Sequence, residues 1–229
     1  MEIKDRELLF KIIDEYITYA NPIGSAFLVK KKKMDCCSAT VRNSMMDLEK
    51  LGYLYQPHTS AGRIPTENAY KLYAEELNKD EKINQKIENK IESFLRELKI
   101  KDKLTKSKVL AKIIAEISKN SVLLAFSKHN YYITGFSNIL SQVEFEDPEK
   151  LRDLSLVFDE LENIVEKMFK SVGENNILIG SDNEFSKHLS VIVSHTDLAQ
   201  NDGFIAILGP MRMNYKQNLG LINHFKRTI

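Results

Sequence analysis

Apolar residues recur at helical spacing in the first segment of the chain: Leu8, Leu9, Ile12, Ile13, Tyr16 and Ile17. One face of a helix repeats every three to four residues, so this pattern predicts an amphipathic helix, with Asp5 as its cap and Asn21-Pro22 as its stop. Gly24-Ser25 restarts the chain, and Ser25 is placed to cap a short helix to about Lys32, with Phe27 and Leu28 turned inward. After a break over Met34 to Cys37, Ser38 caps a third helix. There Val41, Met45, Leu48 and Leu51 form one apolar stripe, while Ala39, Thr40, Arg42, Asn43 and Met46 occupy the other side. Gly52 ends this helix, as a C-terminal glycine does.

The stretch from Tyr53 to Pro65 reads as two short strands around a turn near Ser60-Ala61-Gly62. Pro57 and Pro65 confine that hairpin to an edge or a wing. Thr66 caps a fourth helix, with Tyr70, Tyr73 and Leu77 as its inward stripe. Helix, short helix, turn, amphipathic helix, hairpin and closing helix is the order of a winged helix-turn-helix, assigned to residues 1–78.

Residues 79–108 are rich in Lys, Glu, Asp and Asn, with Ile83, Ile87, Ile91, Phe94 and Leu98 at three- and four-residue spacing. This pattern predicts an exposed amphipathic linker helix, a candidate for pairing two chains. Residues 109–229 mix both periodicities. Val109 to Ser118 is helical. Strands fall on Val122–Phe126, Ile177–Ile179, Leu189–Ser194 and Phe204–Leu208. Asp147-Pro148 opens a helix whose stripe is Leu151, Leu154, Phe158, Leu161 and Val165. A last helix runs from about Asn214, with Tyr215, Leu219 and Ile222 inward. The fold class is therefore α+β, with helices packed on an antiparallel sheet.

Composition narrows the function. The chain has 229 residues, is 43% hydrophobic and 28% charged, and carries a net charge of +1. No apolar run is long enough to cross a bilayer, and the charged N-terminus lacks the apolar core of a signal peptide, so no membrane partner and a cytoplasmic location are expected. The two cysteines, Cys36 and Cys37, are adjacent, which disfavours both a disulfide and a zinc site. Five histidines occur without ligand spacing, and no nucleophile elbow, P-loop or dinucleotide fingerprint is present. Neither an enzyme nor a cofactor is expected.

The near-neutral total does not favour DNA binding, but the local charge does. Lys30, Lys31, Lys32 and Lys33 end the helix that precedes the third one, where phosphate contacts belong in a helix-turn-helix. Ser38, Thr40, Arg42 and Asn43 lie in the first turns of the third helix. Arg can donate two hydrogen bonds to guanine, Asn can pair with adenine, and the hydroxyls suit phosphates or base edges. The same residues would also serve as the plain polar side of an amphipathic helix. The hairpin adds a second feature, with His58, Thr59 and Ser60 on one side of the turn and Arg63 on the other. The candidate DNA-binding residues are thus Lys30, Lys31, Lys32, Ser38, Thr40, Arg42, Asn43, His58, Thr59, Ser60 and Arg63.

Several blocks are similar to one family. Asn21-Pro22-Ile23-Gly24-Ser25, Ser38-Ala39-Thr40-Val41-Arg42-Asn43 and Asp47-Leu48-Glu49-Lys50-Leu51-Gly52-Tyr53-Leu54 resemble consecutive blocks of HrcA. The run Gln56-Pro57-His58-Thr59-Ser60-Ala61-Gly62-Arg63-Ile64-Pro65-Thr66 is the most specific of them. Gly135-Phe136-Ser137-Asn138-Ile139-Leu140 with Glu144-Phe145, and Gly209-Pro210-Met211-Arg212-Met213-Asn214-Tyr215, match more loosely. The resemblance implies a repressor of chaperone operons that binds the inverted repeat CIRCE on double-stranded DNA as a homodimer and is kept active by a GroEL-type chaperonin. It also implies a winged helix domain joined to a GAF-like domain, with an inserted dimerisation domain. The chain departs from that pattern in length. It passes from Val122-Leu123-Leu124-Ala125-Phe126 almost directly to Tyr132-Ile133-Thr134-Gly135, where the insertion usually lies. It also carries Ser44 where the family usually has an acidic residue. Two other readings stay open: a small-molecule-responsive winged-helix regulator, in which Met211-Arg212-Met213 lines a pocket, and a module whose wing binds protein.

Overall fold

The computed structural model describes residues 3–171, 173, 175–198 and 201–229. It divides into two compact units, Met1–Glu76 and Leu77–Ile229.

In the first unit, α1 (Ile3–Tyr19), α2 (Ser25–Lys32) and α3 (Ser38–Lys50) precede β1 (Leu54–Tyr55), β2 (Ile64–Pro65) and α4 (Glu67–Glu75). Leu9, Ile12 and Ile13 of α1, Leu28 of α2, Val41, Met45 and Leu48 of α3, and Tyr70 and Tyr73 of α4 are buried, where α3 packs against α1 and α2, and α4 against α1. Each fully buried aliphatic side chain stabilises the fold by about 1.5–3 kcal/mol. Two expected inward residues are exposed instead: Phe27, which stacks edge-on against Tyr19, and Leu51, which lies past the last full turn of α3.

The caps of α2 and α3 also shift by one residue. Gly24 and Cys37 hold the extended backbone that precedes each helix, so Ser25 and Ser38 are first helical residues and not caps. Thr66 does cap α4, its hydroxyl accepting from the Ala69 N–H. Gly52 closes α3 with φ +79°: its N–H donates to the Glu49 carbonyl and that of Tyr53 to the Leu48 carbonyl, the paired bonds of a left-handed helix terminus.

In the second unit, α5 (Gln85–Leu98) and α6 (Lys103–Ser118) lead into a five-stranded sheet. Its strands are β3 (Ser121–Ser127), β4 (Asn130–Thr134), β5 (Asn176–Ile179), β6 (Leu189–Leu198) and β7 (Asn201–Pro210), in the order β4-β3-β7-β6-β5, all antiparallel. Alternation sends Leu123, Ala125, Val191, Val193, Phe204, Ala206 and Leu208 to one face, under α7 (Phe136–Leu140), α8 (Pro148–Asp159) and α9 (Leu161–Ser171). Val122, Leu124, Ile192, Ile205 and Ile207 point to the other face, which α6 and α10 (Tyr215–Thr228) cover.

Strand β4 lies outside the runs whose composition predicts strands. It follows β3 across only Lys128 and His129, with Ser127 paired to Asn130. The stripe expected on a single helix from Asp147 is split between α8 and α9, and Leu151 is exposed.

Residues 79–108 are part of this second unit. Ile83 and Ile91 are buried, whereas Phe94 and Leu98 are exposed. The Asn223 side-chain amide donates to the carbonyls of Lys79 and Glu81, and that of Asn175 also donates to Lys79, so this segment is tied to α10 and to the start of β5. Periodicity shows which face of a helix is apolar but not what lies against it, hence the difference from an exposed linker. Among the described residues, no helix is long and apolar enough to cross a membrane.

Candidate nucleic-acid interface

Helix α3 buries one stripe, Val41, Met45 and Leu48, which leaves its other side to solvent. Ser38, Thr40, Arg42 and Asn43 are all exposed there, with Ala39 and Met46 between them. The Cys37 Sγ lies 3.2 Å from the Thr40 hydroxyl. That hydroxyl, then the Thr40 and Ala39 N–H groups, hold the exposed Cys37 thiol below its ordinary pKa. Both cysteines are free, and among the described residues no cluster could hold a metal.

The lysine run is not uniform. Lys30 and Lys31 are exposed at the end of α2. Lys31 lies 5.6 Å from the Tyr19 ring centre, and a hydrogen bond with the Tyr19 hydroxyl raises its pKa. Lys32 is turned back: its Nζ is 2.6 Å from Oε1 of Glu15, a carboxylate buried on α1. Lys33 takes a left-handed conformation, with φ +48°, and ends the helix.

The hairpin tip between β1 and β2 carries His58, Thr59 and Ser60, all exposed, and turns through a bond from the Ala61 N–H to the His58 carbonyl. Arg63 is held differently. Its Nε lies 2.9 Å from Oε2 of Glu49 on α3, and its side chain is only 11% exposed. Its backbone exchanges two 2.9 Å bonds with Ile23, so β2 is flanked by β1 and by the chain just before α2. Gly62 permits this approach, since a Cβ there would fall 2.4 Å from the Ile23 carbonyl carbon.

The start of α2, Arg42 and Met45 of α3 and the hairpin tip enclose a cleft of about 500 Å³. Its lining includes Ser25, Arg42, Gln56, Thr59, Ser60 and Arg63. Of the candidate residues, the structure thus gathers Arg42, Thr59, Ser60 and Arg63 around one cleft. Lys32 and Arg63 are paired with carboxylates. Glu49 and Gln56 escaped the sequence reading because their types suit any helix surface or turn; only the neighbours they meet give them a role.

Residues 59–218 match the family model described as HrcA protein C terminal domain. The chain belongs to the HrcA family. The heat-inducible transcription repressor HrcA of Thermodesulfovibrio yellowstonii is 25% identical over 338 alignment positions, which cover all of this chain and 97% of that protein. The repressor of the same name from Clostridioides difficile is 28% identical over 340, covering 100% and 99%. This chain has 229 residues, so these HrcA proteins carry sequence with no counterpart in it. A crystal structure of a hypothetical protein at 2.2 Å resolution has the same fold, with a TM-score of 0.76, 19% identity and full coverage of both chains.

Proposed function

We propose that this chain is a transcriptional repressor of heat-shock (chaperone) operons, not an enzyme, and that it binds the CIRCE inverted repeat on double-stranded DNA as a homodimer through a winged helix-turn-helix in residues 1–76. The observation that carries the reading is the shared cleft: Arg42 of a helix with a solvated polar side borders the same groove as Thr59 and Ser60 of the wing. A helix reading base edges in the major groove and a wing beside it on the backbone require that arrangement.

Within this reading, Arg42 and Asn43 contact bases, while Ser38, Thr40, Lys30 and Lys31 contact phosphates or sugars. His58, Thr59 and Ser60 follow the flanking backbone. Lys32 and Arg63 contribute through their acidic partners Glu15 and Glu49, which hold the elements in place. Two-fold symmetry of a homodimer matches an inverted repeat, and a GroEL-type chaperonin is the partner that keeps the repressor active when misfolded protein is scarce.

Fluorescence anisotropy with a duplex carrying CIRCE and a scrambled duplex of equal length tests the reading. The expected result is tight, salt-sensitive binding to CIRCE, with one dimer per repeat by light scattering. Equal affinity for both duplexes at every salt concentration refutes it.

A further inference from the structure

We infer that Glu49, Gln56 and Arg63 form a clip that fixes the wing tip against helix α3, and that Glu49 is a positioning residue for DNA binding. The inference rests on the DNA-binding reading above. A carboxylate on a DNA-facing element is repelled by phosphates, so its presence needs a reason. Both oxygens of Glu49 are used. Oε1 accepts the backbone N–H of Gln56 at 3.1 Å, where the chain leaves β1 for the tip. Oε2 lies 2.9 Å from Arg63 Nε, where the chain returns into β2; this contact is an ion pair whose angle falls outside hydrogen-bond geometry. One side chain on α3 therefore holds both ends of the tip.

Gln56 carries the constraint further. Its side-chain Nε2 donates to the Thr59 carbonyl at 2.9 Å and to the Ala61 carbonyl at 2.8 Å, which closes the loop from within. The strands β1 and β2 have two residues each, too few to orient a tip by themselves. The Arg63 side chain pairs with Glu49 through Nε and is only 11% exposed, so it acts on DNA through the tip it holds. Such ordering before binding lowers the entropy lost on association.

The clip and plain electrostatics predict opposite signs, which makes the test decisive. Replacing Glu49 removes a negative charge near phosphates and frees a cation, so electrostatics alone predicts tighter binding and a steeper salt dependence. The clip predicts the reverse. The full-length Glu49→Gln variant should bind a CIRCE duplex about tenfold more weakly, the order expected when one partner of a half-buried ion pair is removed. Its affinity for a scrambled duplex should not fall, and hydroxyl-radical protection of the DNA flanking each half-site should shrink. Gln56→Ala breaks the same chain of interactions with no change of charge and should weaken CIRCE binding by a similar factor. The double variant should be no weaker than the worse single one, because both changes interrupt one path.

Wild-type discrimination with Glu49→Gln binding CIRCE as well as or better than wild type overturns the clip alone. So do additive losses in the double variant. Wild-type failure to distinguish the two duplexes overturns the DNA-binding reading and the clip with it. If Glu49→Gln does not fold, Gln56→Ala decides by the same comparison of the two duplexes.

Discussion

In the first unit, Glu15 and Ser25 are buried and Arg63 is largely enclosed, but most candidate polar side chains stand outside a small apolar core: Ser38, Thr40, Arg42 and Asn43 on α3, Lys30 and Lys31 on α2, and His58 to Ser60 on the hairpin tip are all exposed. In the second unit, many polar side chains are buried. Ser121, Ser190, Ser194, Asn120, Asn175 and Asn218 lie inside, and most of them bond to neighbouring backbone or side chains. The family-like blocks show the same contrast. Those of the first unit line a cleft, whereas Arg212 and Glu144, from two separate blocks of the second, pair with each other, and Gln142 joins them. Tyr215 buries its hydroxyl between Ser190 and the Met211 carbonyl, and burial raises its pKa. A motif is thus not by itself a site. Exposure separates residues that can meet a partner from residues that hold the fold.

Substitutions can break that contrast, and the largest effect belongs to the second unit. Phe204 is fully buried against Phe169, so Phe204→Ala should cost about 3–5 kcal/mol in denaturant unfolding. Operator discrimination should survive wherever the variant stays folded; its loss there would blur the division of labour. Arg42→Ala should cost about 1–3 kcal/mol of discrimination at one base pair per half-site, read by competition between base variants, with no change in melting temperature. Removing the Thr66 cap with Thr66→Ala should destabilise the first unit by about 1 kcal/mol in thermal unfolding. Replacing Lys30 and Lys31 with Gln should weaken binding to all sequences alike and reduce the salt slope by about one for each phosphate no longer neutralised.

The smallest effect is a pH dependence of the second unit. His224 is buried, and desolvation holds its imidazole below its ordinary pKa of 6.5 despite the Glu88 carboxylate 3.4 Å away; Arg227 opposes protonation, and Glu92 favours it. Because the folded value is the lower one, the unfolded chain takes up this proton first. The contribution to stability is therefore present above the ordinary value and lost as pH falls through it toward the folded value. Denaturation midpoints across that range should show a shallower decline in His224→Asn than in wild type.

Much of the fold was legible because its signals are local. The stripe Val41, Met45 and Leu48, the Thr66 cap and the Asp147-Pro148 helix start depend on neighbours a few residues away, and all three are present. Strand β4 was missed because a short run at a sheet edge, Tyr131 to Thr134, has no distinctive period. The Ser25 and Ser38 caps were misplaced by one residue because Gly and Cys can also take the extended backbone before a helix.

What the sequence determined alone was the periodic order of elements, the polar composition of one side of α3 and the blocks that tie the chain to its family, since each is a property of residues close together along the chain. The tertiary structure decided which charges are free and which are engaged. Lys32 meets Glu15, and Arg63 meets Glu49, across separations that no local pattern encodes. Whether a cation can serve a phosphate depends on what else lies within a few ångströms of it, and only the folded chain brings those groups together.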